Sequence, residues 1–146
     1  MKKGIALFAA TLLSFTALLA QDWQTDFTKA KEIASAEDKS IVLVFQGSDW
    51  CAPCMKLDRE IWSTDDFKEY AANHYVMLQA DFPRRKANAL SDEQTKANAA
   101  LAEKYNTRGV FPFVVVLDGE GKVLGQKGYK KTTPDLYIKE LNAFIQ

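Results

Sequence analysis

The chain has 146 residues, 47% of them hydrophobic and 26% charged, and its 19 basic and 19 acidic side chains balance to zero formal charge. That balance leaves no electrostatic footprint for a nucleic acid partner, and the short runs Arg84-Arg85-Lys86 and Lys130-Lys131 read as solvated loops in a chain whose acids are spread throughout. There is no internal repeat and no low-complexity segment.

At the start, Lys2 and Lys3 precede an apolar stretch from Ile5 to Ala20, broken only by Thr11, Ser14 and Thr16 and followed by polar Gln21, Asp22 and Gln24. This pattern reads as a secretory signal peptide over residues 1–20, cut after Ala20. The stretch is shorter than the roughly 20 residues that a membrane-spanning helix needs. Leu18 is larger than the small residue preferred three positions from a cut, which leaves open a neighbouring cut or a retained anchor. No cysteine follows the apolar run to carry a lipid. Residues 21–146 then form one domain of ordinary size, and losing two lysines leaves 17 basic against 19 acidic residues, a net charge of −2. Export places the protein in the periplasm or outside the cell, where paired thiols are easily kept oxidised.

Helices and strands alternate along the rest. From Asp26 to about Glu37 the sequence is polar and helix-favouring, with Phe27, Ala30 and Ile33 or Ala34 on one face and Trp23 packing near the start. Ile41 to Phe45 is a continuous apolar run, as in a strand covered on both faces. Gln46-Gly47-Ser48-Asp49 ends it, and Ser48 or Asp49 is placed to cap a helix beginning near Cys51, with Pro53 in its first turn and Leu57 and Ile61 facing inward. Ser63-Thr64-Asp65-Asp66 starts a further helix carrying Phe67 and Tyr70, and Tyr75 to Asp81 is the next strand. Residues 83–90 read as an irregular excursion. Ser91 to Gln94 is a capping box for a helix running to about Tyr105, with Ala97, Leu101 and Ala102 or Tyr105 inward. Phe113 to Leu117 is a buried strand, Asp118 to Gly121 a turn, and Lys122 to about Gly128 an antiparallel edge strand. Thr133 caps a last helix with Pro134 at its first position, and Tyr137, Leu141 and Phe144 form its apolar face. The order predicts an α/β domain with a central mixed sheet and helices on both faces.

Cys51 and Cys54 are the two cysteines of the chain and are three positions apart. A bridge between them closes so short a ring that it stabilises by about 2 kcal/mol at most, against about 3 for a 15-residue loop. Such a spacing serves thiol–disulfide exchange: one thiolate attacks and the second resolves the mixed disulfide. A thiolate at Cys51 would face unpaired N–H groups at a helix start, which lower a thiol pKa from about 8.5 and make it the attacking group.

A strand, Trp50-Cys51-Ala52-Pro53-Cys54 at a helix start, a second strand, Gly109-Val110-Phe111-Pro112 before a third strand, a hairpin and a final helix together resemble the thioredoxin family over about residues 22–146. Ile61 to Phe67 adds a helix after the active-site helix, similar to exported thioredoxin-like proteins and to the C-terminal domain of the periplasmic membrane thiol reductase. The resemblance implies a thioredoxin fold, with Cys51 the exposed attacking thiol, Cys54 the buried resolving thiol and Pro112 the family's cis-proline beside an extended substrate backbone. Trp50 is then a groove and packing residue, and an unusually long segment from Tyr105 to Pro112 lets Phe111 shape the groove.

Thioredoxin carries a buried aspartate on the strand before the motif, and residues 41–46 hold no acid. Asp58, at i, i+4 from Cys54, matches an acid of the membrane reductase's domain. Partly buried, it could move a proton during resolution; beside Arg59 and Glu60 it also reads as a solvated helix acid. His74, the one histidine, could join the cysteines at a metal only with further ligands, since closed zinc sites want four, and it reads as a surface or capping residue. No cofactor and no metal are expected. The sequence reads as a monomeric exported thiol:disulfide oxidoreductase acting on protein thiols and disulfides, a reductase or isomerase since Pro53 resembles the reducing members. Such an enzyme needs a membrane or thioredoxin-like electron donor. A disulfide-forming oxidant, a thiol-based metal carrier and a non-catalytic binding module are the alternatives.

Overall fold

The computed structural model describes residues 21–146, so the expected signal peptide and its cut after Ala20 lie outside the described residues. Four strands, β1 (Ser40–Gln46), β2 (Tyr75–Asp81), β3 (Phe113–Leu117) and β4 (Val123–Gly128), form one sheet in the order β2-β1-β3-β4. β1 pairs parallel with β2, and β3 is antiparallel to both β1 and β4, so the sheet is mixed as the element order predicts. Gln24 adds a single parallel bridge beside Leu78 at the β2 edge, which the sequence does not reveal.

Alternation along the strands divides the core in two. Ile41, Leu43 and Phe45 face one side with Val76, Leu78, Val115 and Leu117, covered by Ala30 and Ala34 of α1 (Phe27–Glu37) and Leu101 and Tyr105 of α4 (Asp92–Tyr105). Val42, Val44, Met77, Val114 and Val116 face the other, beneath α2 (Ala52–Leu57), α3 (Asp65–His74) and α5 (Pro134–Ile145). β1 and β3 are therefore buried on both faces, which is why they read as unbroken apolar runs.

Local chemistry sets most helix ends. Asp26 Oδ1 accepts from the N–H groups of Thr28 and Lys29, Thr64 Oγ1 from Phe67, and Thr133 Oγ1 from Leu136. The Ser91 box is half made: Ser91 Oγ accepts from Gln94 N, while the Gln94 amide donates to Thr25 and Asn98 instead of returning to Ser91. Along its helix Leu101 and Tyr105 are buried as expected, whereas Ala97 is exposed and Asn98 takes the buried place, its Nδ2 donating to the Asp81 carbonyl at 2.9 Å. Trp23 packs edge-on to Trp62 at 6.0 Å, on the face opposite α1. After α2 the chain widens into a π-helical turn over Asp58–Trp62, which brings the consecutive Ile61 and Trp62 both into the core.

Candidate active site

The register of the sheet collects the site at one end. Gln46 ends β1 opposite Asp81, and Phe45 pairs with Phe113, so the segments after Gln46, after Asp81 and before Phe113 all emerge together. The first carries Trp50 and Cys51, the second begins Phe82-Pro83-Arg84, and the third ends in Phe111-Pro112, joined by a cis peptide bond. His74 precedes Tyr75, which pairs with Ser40 at the opposite end, where its ring stacks on Tyr70 at 3.9 Å. Sheet length thus separates it from the cysteines.

Cys51 and Cys54 form a disulfide with their Cα atoms 5.2 Å apart. Both are 4% exposed, which corrects the expectation of an exposed Cys51 beside a buried Cys54; once bonded, each sulfur covers the other. The cap of α2 differs as well. Cys51 itself is the N-cap, its Sγ accepting from Cys54 N at 3.3 Å. Ser48 and Asp49, the better capping residues by type, are drawn away by tertiary partners. Ser48 donates through its N–H and hydroxyl to the Asp81 carboxylate at 2.9 and 2.6 Å. Asp49 accepts from the N–H groups of Arg84 and Arg85, each at 2.9 Å, and from the Asn88 amide at 3.0 Å. Those donors, Arg84 N–H foremost, lower the Asp49 pKa from 3.8 to about 2.

Trp50 joins the three segments. Its indole Nε1 donates to the Phe82 carbonyl at 2.7 Å, its ring meets Phe111 edge-on at 5.5 Å, and the Arg84 guanidinium lies 3.7 Å from its ring centre. Phe82 and Phe111 close the triangle at 5.4 Å. Gly47 makes room for the indole, since a Cβ there would lie 2.2 Å from the Trp50 ring. The segment before Pro112 is folded onto buried Asn106, whose side chain both donates to Val110 O and accepts from Val110 N, and Gly109 turns with φ 61°.

On the other side of the pair, a cleft of about 220 Å³ is lined by Gln46, Ser48, Cys54, Met55 and Asp58. Asp58 therefore borders the same space as Cys54, but it is exposed rather than partly buried, because the helix widens at that residue. The sequence missed Asp49 and Asp81 as organisers of the site, since their partners lie 33 to 39 residues away.

A mixed sheet between two helical layers, with a two-residue-spaced disulfide at a helix start facing a cis-proline loop, defines a thioredoxin fold. The chain belongs to the thioredoxin-like family, whose profile matches residues 22–119. It is 32% identical over 124 residues to the disulfide bond reductase DsbH of Chlamydia pneumoniae, covering 85% of this chain and 72% of that one. A thioredoxin-related protein of the same organism, DsbJ, is 23% identical over 73% of this chain and 30% of its own length. Among solved structures, a DsbH oxidoreductase superposes with TM-score 0.79 at 29% identity, covering 98% of this chain and 94% of that one. A thioredoxin from Thermus thermophilus shares the fold at TM-score 0.60 and 15% identity, with 84% and 85% covered. The chain is a thiol:disulfide oxidoreductase of the thioredoxin fold.

Proposed function

We propose that the protein is exported by a signal peptide over residues 1–20 and works as a monomer in the periplasm or outside the cell, reducing or isomerising disulfides in protein substrates. The observation that carries the assignment of roles is Cys51 at the N-cap of α2, its sulfur accepting the Cys54 N–H. In the reduced protein that N–H and the helix dipole favour a thiolate at Cys51. The Cys51 thiolate attacks one sulfur of a substrate disulfide, forming the mixed disulfide and expelling the other sulfur as a thiolate. Cys54, deprotonated, then attacks Cys51 Sγ, so the mixed disulfide breaks, the substrate leaves with two thiols, and the enzyme keeps the Cys51–Cys54 bond. Two electrons pass to the substrate, whose sulfurs leave as thiolates and take their protons from solvent, and a dithiol donor, membrane-bound or thioredoxin-like, restores the enzyme.

Trp50, Phe111 and Pro112 form the wall against which the substrate backbone lies. Asp58, bordering the cleft at Cys54, relays the proton lost by Cys54 to solvent. The reductive direction is supported by Pro53 before the resolving cysteine and by the reductase named among the relatives.

Titration of the pair against glutathione, combined with trapping, tests this reading. Cys51→Ser abolishes exchange, whereas Cys54→Ser accumulates mixed disulfides; equal activity in the two variants removes the assigned roles. A potential near or above about −130 mV overturns the reductive direction and makes the protein an oxidant. For Asp58, a resolution rate in Asp58→Asn that equals the wild type from about pH 6 to 9 returns it to a solvated acid.

A further inference from the structure

Residues 82–90, which leave the sheet after β2, carry Arg84, Arg85 and Lys86 and no acid, and all three cations are exposed. The segment is fastened to the active-site loop: Asp49 holds the backbone of Arg84 and Arg85, the Phe82 carbonyl accepts from the Trp50 indole, and the Arg84 guanidinium lies over the Trp50 ring. Trp50 immediately precedes Cys51. Through Phe111, which touches both Trp50 and Phe82, a second loop joins the first. Residues 106–112 contribute exposed Arg108 and again no acid.

These two loops, both joined to Trp50, carry four cations, of which Arg84 is held over the ring next to Cys51. The ion pairs among the described residues join Lys39 to Glu37, and Lys127 and Lys130 to Glu140, so none of the four is taken up by a carboxylate. The carboxylates of the neighbouring acids are already engaged: Asp49 accepts from the N–H groups already named and faces the charge of Arg85, and Asp81 accepts from Ser48 and the Phe82 N–H. Asp58 is exposed at the Cys54 cleft. Outside the two loops, residues 21–146 carry 13 cations against 19 acids. A positive rim on an otherwise negative molecule attracts an acidic partner in the orientation that meets the rim and repels it elsewhere. Arg84, exposed and lying over Trp50, also carries a guanidinium fork that suits a carboxylate.

We propose that this basic rim docks an acidic segment of the substrate protein, rich in Asp and Glu and adjacent to its reacting disulfide; the inference rests on the proposed exchange at Cys51. The rim selects among protein disulfides by the charge of their flanking sequence.

The test uses the full reduced protein and three synthetic disulfide peptides identical except for flanks of glutamate, lysine or serine. Initial exchange rates are followed at low salt and at high salt. The glutamate-flanked peptide is exchanged on the order of fivefold to tenfold faster than the lysine-flanked one at low salt, and the ratio falls toward one as salt rises. Arg85→Ala/Lys86→Ala, which keeps both backbone N–H groups and the Arg84 stack, lowers that ratio at least about twofold; the Arg84→Ala/Arg85→Ala/Lys86→Ala variant lowers it further. Exchange of all three peptides at equal rates, or a ratio unchanged in both variants, overturns the docking rim and leaves the oxidoreductase reading standing. Exchange with none of the three overturns the proposed protein substrates and the rim with them.

Discussion

Two aromatic clusters flank the cysteine pair, and both use edge-to-face contacts. In front, Trp50, Phe82 and Phe111 meet at 5.4 to 5.5 Å and are only half-buried. Behind α2, Trp62 touches Trp23, Phe67 and Tyr137 at 6.0, 4.8 and 5.2 Å, with Trp62, Phe67 and Tyr137 no more than 1% exposed. The same residue type and geometry serve different ends. The rear cluster is held by burial, with the Lys127 ammonium 3.8 Å from the Tyr137 ring centre, and the front one by hydrogen bonds: the Trp50 indole to the Phe82 carbonyl, Asp49 to the N–H groups of Arg84 and Arg85, Ser48 to Asp81. The rear cluster is fully buried at Trp62, Phe67 and Tyr137, and the front one is the half-buried wall of the proposed substrate groove.

The contrast can be broken most directly at Trp62. Trp62→Ala removes a fully buried ring and costs about 3–5 kcal/mol in denaturant unfolding, while the molecules that remain folded exchange at the wild-type rate. Trp50→Ala has the opposite profile. It lowers the exchange rate on the order of tenfold, equivalent to about 1.4 kcal/mol of barrier, and costs less stability than Trp62→Ala; a larger stability loss at Trp50 than at Trp62 would erase the distinction. Within the rear cluster, the Tyr137 hydroxyl is buried with no hydrogen-bond partner among the described residues, and burial raises its pKa so that it stays neutral. Tyr137→Phe therefore raises stability, by about 1 kcal/mol, with no change in exchange.

The smallest effect concerns Asp49. Folding lowers its pKa from 3.8 to about 2, so the tether to Arg84 and Arg85 is fully present above pH 3.8 and is lost as pH falls through about 2. The amide resonances of Arg84 and Arg85 shift over that window, and the shift is absent in Asp49→Asn. An unchanged titration in the variant would separate Asp49 from the loop.

Much of this was legible in the sequence, for local reasons. The strands Ile41 to Phe45 and Phe113 to Leu117 are apolar runs because both their faces are covered, and Thr64 and Thr133 cap the helices they precede since no tertiary partner competes for their oxygens. The cysteine spacing and Pro112 before an apolar strand were enough for the family. The cap of α2 was not legible: by propensity Ser48 and Asp49 outrank a cysteine, but propensity says nothing of carboxylates and N–H groups more than 30 residues distant. The π-helical turn was hidden for a related reason. Leu57 and Ile61 keep helical spacing, and only the packing of Trp62 against Phe67 and Tyr137 favours the wider turn.

Gly47 carries a consequence for how this site can change over generations. With a methyl group at 47 falling 2.2 Å from the indole, the effect of Gly47→Ala depends on what stands at 50. Beside tryptophan the substitution displaces the ring and with it the contact to Phe111; in a Trp50→Ala background the three closest contacts of that methyl group are gone. The two positions are thus epistatic, and any route from glycine to a larger residue at 47 that avoids a displaced ring passes first through loss of the tryptophan.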